Sequence, residues 1–158
     1  MELDQKAKDS IQWMAIFGAA ASAAETIITY FANMYFTTYG NLAQQFGQIV
    51  GVGGFPVNSV VSSAVWGAVM GAIFGFVLSK YYQSIMEFNR NYLKNFFGSL
   101  FKLLFYPYII AGAFTILGGL GALAAGAGIG ILLTFVGIIV VRYFYAKMVV
   151  AKLGAYYQ

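Results

Sequence analysis

Five carboxylates and nine Lys or Arg residues make up the whole ionic inventory of this 158-residue chain, which contains no histidine and no cysteine. The commonest general base is therefore missing. So are thiol nucleophiles, disulfides and the usual ligands of zinc, copper, haem and iron–sulfur clusters. Glu2, Asp4 and Asp9 crowd the amino terminus, and Glu25 and Glu87 stand far apart, so no carboxylate pair has a spacing suited to acid–base work. No catalytic residue, metal or cofactor is expected, and the chain reads as a non-enzyme. Glu25 stands out by position. It begins an apolar stretch with no other charge until Lys80, and Ser22, Thr29, Asn33 and Thr37 lie beside it at helical spacing. An ionisable group inside a membrane span marks an ion or proton site by default. The plainer reading is a protonated or locally hydrogen-bonded Glu25 that glues helices together. In the sequence, no cation falls within another span to pair with it.

A second pattern is built from small residues. Ser59, Ser63, Gly67, Gly71, Gly75 and Ser79 recur every fourth position, placing one narrow stripe along a helix. Such stripes let helix backbones approach closely where lipid supplies no hydrophobic drive. The stripe serves either packing within the chain or a seam between subunits. Ala122, Gly126 and Gly130 form a shorter partner stripe, and Ala15, Ala19 and Ala23 another.

The third pattern is cationic. Lys80, Arg90, Lys94, Lys102, Arg142, Lys147 and Lys152 alternate with aromatic residues, a chemistry that suits anionic headgroups. It also suits non-specific contact with nucleic-acid phosphates. Gly51-Val52-Gly53-Gly54 precedes no Lys-Ser/Thr pair, so it makes turn material and not a phosphate loop.

The elements that must carry these residues follow from composition. Sixty-one per cent of the chain is hydrophobic and 9% charged, with a mean hydropathy of +0.76; a soluble domain carries about 25% charged residues. Two long charge-free stretches, 26–79 and 103–141, each exceed the ~20 residues of one span, so each must turn back. The expected fold is all-α: one domain over 1–158, a membrane-type bundle of two helical hairpins. Its helices are expected at about 10–39, 58–100, 103–118 and 129–156, with a loop at 40–57. Asp9 or Ser10 caps the first helix and Asn58 or Ser59 the second. Pro107 breaks or kinks the helix that enters it, and the last turn falls either at Gly118-Gly119-Leu120-Gly121 or at the glycine cluster Gly126, Gly128 and Gly130. The apolar stretch from Ile11 is too long for a signal peptide and reads as a retained helix. With four crossings, both termini and the Lys80–Lys102 segment share one side. All nine cations then lie on that side, as the positive-inside bias requires of a cytoplasmic face.

The Ser59–Ser79 stripe, the hydrophobic Leu103–Val141 hairpin and the basic Lys80–Lys102 and Arg142–Lys152 segments together resemble the major capsid proteins of spindle-shaped, tailed archaeal viruses. The resemblance implies a structural, self-assembling subunit that enters the host membrane first. It would then pack laterally into a homo-oligomeric or helical shell, with its basic face toward DNA in the virion. The alternative is a small four-helix protein integral to the cytoplasmic membrane, acting as a channel, transporter component or accessory subunit. Its partners would be lipid and copies of itself.

Overall fold

The first helix begins earlier than its expected cap. Asp4 Oδ1 accepts a 2.7 Å hydrogen bond from the Ala7 N–H, satisfying one of the donors that a helix start leaves open. In the computed structural model, backbone is described for residues 4–39, 55–124 and 128–157, and side chains for 4–32, 55–114 and 133–157. Four α-helices and no strand occur among these residues: α1 (Gln5–Tyr39), α2 (Val57–Tyr92), α3 (Leu100–Ala124) and α4 (Gly128–Leu153), with a closing 3-10 turn, Gly154–Tyr156. Three segments, Gln5–Ala32, Val57–Tyr92 and Leu133–Tyr156, are long and apolar enough to cross a membrane. The all-α, membrane-type bundle read from composition is therefore what the chain forms.

Several local expectations are corrected. Asp9 and Ser10 lie inside α1, and Ser10 is fully buried. Pro56, not Asn58 or Ser59, precedes α2, and it makes no side-chain cap. α2 ends at Tyr92 instead of near residue 100. There the buried Asn89 organises a turn: its Oδ1 accepts from the Phe97 N–H at 2.9 Å and its Nδ2 donates to Asn95 Oδ1 at 3.2 Å. Lys94 and Asn95 take positive φ values of 48° and 61°, left-handed backbone that stops a helix. α3 passes through Pro107 without ending, and it also passes through the glycines at 118–121. The first of the two candidate glycine clusters therefore lies within α3. The loop at 40–54 and Gly126 lie outside the described residues.

α1 is the central helix and α2 lies antiparallel along it through the glycines of the small stripe. A Cβ added at Gly67, Gly71 or Gly75 would strike the backbone carbonyls of Gly18, Met14 and Ser10 respectively. That approach leaves no room for a second chain, so the stripe between Gly67 and Gly75 is a seam within the molecule and not between subunits. α4 runs antiparallel to α1 on another side, bringing Gly137 against Ile28 and Lys152 over the Trp13 ring. α3 pairs with α4, where Gly112 receives the Phe135 ring and Phe101 and Phe105 meet Tyr143 edge to face. At the end that holds both termini, Met14, Leu78, Leu100, Val149 and Leu153 form the buried core. Tyr157 locks that end: its hydroxyl sits 2.6 Å from Ser10 Oγ, and its carbonyl accepts from Tyr82 Oη at 2.8 Å.

Candidate functional site

Glu25 and Arg142 meet at mid-depth. Each lies about 21 Å from the end of its helix that faces away from the termini, at 1.5 Å per residue along α1 and α4. Arg142 Nη2 donates to Glu25 Oε2 at 2.6 Å, a charge-assisted bond, and Nε lies in ionic contact with Oε1. The guanidinium also lies over the Tyr108 ring, 4.6 Å from its centroid, and 5.8 Å from that of Tyr145. The side chains of Arg142 and Glu25 are 16% and 18% exposed.

Two expectations are corrected here. A cation does stand within another span to pair with Glu25. Arg142 accordingly belongs to the interior of the bundle, not to the headgroup- or nucleic-acid-facing set. The helix expected over 129–156 places Arg142 near its middle, which was the available signal that Arg142 lies well inside it. Lys80, Arg90, Lys94, Lys102, Lys147 and Lys152 are all exposed, at the end that carries both termini.

The ion pair forms part of the wall of a cavity of about 530 Å³ between α1, α2 and α4. Ser22, Thr26 and Thr29 contribute from α1, and Ser59, Ser63 and Trp66 from α2. Ser59 and Ser63, at the start of the small stripe, therefore border this space instead of a close backbone contact. Two hydroxyls there are paired: Thr26 Oγ1 donates to Ser63 Oγ at 2.6 Å, and Ser63 donates on to the Ser59 carbonyl at 2.8 Å. Among the described residues, no hydrogen bond is formed by the hydroxyls of Ser22, Thr29, Tyr30 or Ser59. Ser79, at the other end of the stripe, bonds the carbonyl of Phe76 on its own helix.

Sequence reasoning found Glu25, Ser22 and Thr29, which the structure gathers on one cavity wall. It missed Thr26, although Ser10, Gly18, Ser22 and Thr26 share one four-residue register on α1, and it missed Tyr108 and Tyr145. The partner stripe of α2 is that register and not Ala15, Ala19 and Ala23. Asn33 and Thr37 continue along α1, but their side chains lie outside the described residues, as do the surroundings of Ala122 and Gly130. Among the described residues no group of His, Cys, Asp or Glu could hold a metal ion. Chemically, the arrangement offers hydrogen-bond donors and a neutralised charge pair inside an apolar frame. No protein-family model, no curated protein and no solved structure matches the chain.

Proposed function

We propose that the chain is a polytopic integral membrane protein whose working part is the polar cleft around Glu25 and Arg142. The cleft would serve as the binding or passage site of a transporter, channel component or accessory subunit. The observation that carries this reading is the ion pair at mid-depth opening on a hydroxyl-lined cavity. A bundle built only to pack would fill that volume with apolar side chains, because polar groups at that depth are costly. The charge distribution supports it as well. Every cation except Arg142 belongs to the end with both termini, which would face the cytoplasm.

The chain has no native cysteine, so single thiols report cleanly. In membrane vesicles of known orientation, Ser59→Cys should react with a membrane-impermeant maleimide added on the side away from the termini. Val65→Cys, on the outer face of α2 where Val65 is 60% exposed, should stay protected by lipid. Equal labelling of the two, or labelling of Val65→Cys alone, would overturn the reading.

A second reading is favoured by one observation. Val57, Val61, Val65, Val69 and Ile73 leave an aliphatic row exposed along α2, a surface that could bury itself against other copies in a shell. The chain would then be a capsid-like structural subunit, with Lys80, Arg90, Lys94, Lys102, Lys147 and Lys152 toward DNA. That reading expects dense, detergent-free particles containing nuclease-protected DNA. The membrane reading expects material that floats with lipid and carries none.

A further inference from the structure

Two more cavities extend the polar one along the bundle. A space of about 190 Å³ shares Ser22, Trp66 and Arg142 with it, and is otherwise lined by Gly18, Gly67, Phe74 and the two tyrosines, Tyr108 and Tyr145. A third, of about 270 Å³, shares Phe74, Tyr108 and Tyr145 with the second and continues toward the basic end between Met14, Val77, Leu78, Leu103 and Leu104. The three follow one another down a groove bordered by α2 on one side and by α3 and α4 on the other. Its character changes along its length. The first section is rich in hydroxyls and the third is walled by aliphatic and aromatic carbon.

We infer that this groove binds an amphiphile with an uncharged, acceptor-rich head and a linear apolar tail: the head in the Glu25–Arg142 cavity, the tail between Val77 and Leu104. Three features fix the class. The cavity has no net charge to offer, because its one carboxylate and its one guanidinium already hold each other, so a charged head would have to break that pair. The residues left over, Ser22, Thr29, Tyr30, Ser59 and Trp66, all line the space and can each donate a hydrogen bond, the indole N–H of Trp66 donating only. Carbonyl oxygens, as on a quinone or a lipid ester, match them. Finally, polar head space leads straight into an apolar slot, the shape of a site for a molecule that is itself divided in two.

This inference rests on the membrane reading, and its test is separate from the thiol labelling. The full chain carrying Trp13→Phe, which leaves Trp66 as the sole tryptophan, is placed in phosphatidylcholine nanodiscs. It is then titrated with a decyl-tailed benzoquinone or with the tail-less parent quinone, and Trp66 quenching is followed. The decyl probe should quench saturably at low mole fraction. Val77→Phe, and independently Leu104→Phe on the opposite wall, should raise its half-saturation concentration by roughly tenfold, leaving the parent quinone within about twofold. Quenching that climbs linearly with quinone content would mean Trp66 senses only bulk membrane, and would overturn the inference. So would a slot variant that weakens both probes equally. If Ser59→Cys still reacts from the far side in that case, the cleft stands and only the ligand assignment falls.

Discussion

Arg142 and Glu25 are each less than one-fifth exposed, so removing one partner leaves the other as a charge without compensation, which is worse than removing both. Breaking a buried pair from one side costs about 3–5 kcal/mol, whereas replacing both charges with neutral groups can be close to neutral. Arg142→Met should therefore lower the thermal midpoint in detergent sharply. Adding Glu25→Gln to it should restore most of the loss, by about 2 kcal/mol or more of coupling. Purely additive midpoints would show that the pair does not act as a unit. Tyr157 makes a milder case at the same scale. Burial pushes its phenol above the usual tyrosine range, and the bond from Ser10 opposes that shift. A raised folded-state value means its contribution is complete below about pH 10 and is lost as pH climbs through the folded value. Alkaline unfolding, followed by circular dichroism, should therefore become shallower in Tyr157→Phe. An unchanged profile would place the titration elsewhere.

At the scale of elements, the α1–α2 seam should tolerate no added atom. Gly71→Ala drives a methyl group into the Met14 carbonyl, a backbone atom that cannot step aside alone, so the two helices must separate. Overpacking of this kind costs roughly 1–3 kcal/mol. Gly154→Ala is the matched control: its Cβ would meet only Val150 Cγ1 at 3.5 Å, ordinary van der Waals contact. A detergent melting curve should fall for the first and hold for the second, and equal shifts would remove the seam from the energetics. The same seam shows what the sequence made legible. A four-residue register of small side chains can be read directly, because helical periodicity is local. What it meets cannot, since that depends on which helix returns alongside, and both an intrachain and an intersubunit seam were consistent with it. The helix ends show the same limit. The stop expected at Gly40-Asn41 lies outside the described residues. Asn89 ends α2 by reaching forward to Phe97, a contact that no propensity encodes, and Pro107 is carried within α3. Glu25 was visible as a candidate because of its solitude. Arg142 was hidden by its neighbours Tyr143 and Tyr145, which read as an interfacial belt but flank a charge turned inward.

For the molecule as a whole, orientation should be set by the cations that remain once Arg142 is assigned to the interior. Four of them, Lys80, Arg90, Lys94 and Lys102, flank or occupy the α2–α3 turn. The others, Lys6, Lys8, Lys147 and Lys152, sit beside the termini. Each positive charge near a span end biases its segment toward the cytoplasmic side, and the Glu25–Arg142 pair contributes nothing because it is neutral as a unit. The bundle also resists half measures: α1 of the first hairpin is held to α4 of the second by the ion pair and by the packing of Ile28 on Gly137, so one hairpin cannot invert without breaking both. Changing Lys80, Arg90, Lys94 and Lys102 to Gln while introducing Phe55→Lys and Val57→Lys at the opposite end should therefore produce two populations of whole, correctly packed molecules in opposed orientations. An Asn95→Cys reporter would read them. In the otherwise unchanged chain it should react from one side of the membrane only, and in the charge-shifted chain from both, with the melting temperature little altered. Labelling that stays one-sided would mean that the spans themselves fix the orientation. Two-sided labelling with a collapsed melting temperature would mean that the hairpins had inverted singly, and that the ion pair and the α1–α4 packing are weaker than their geometry implies.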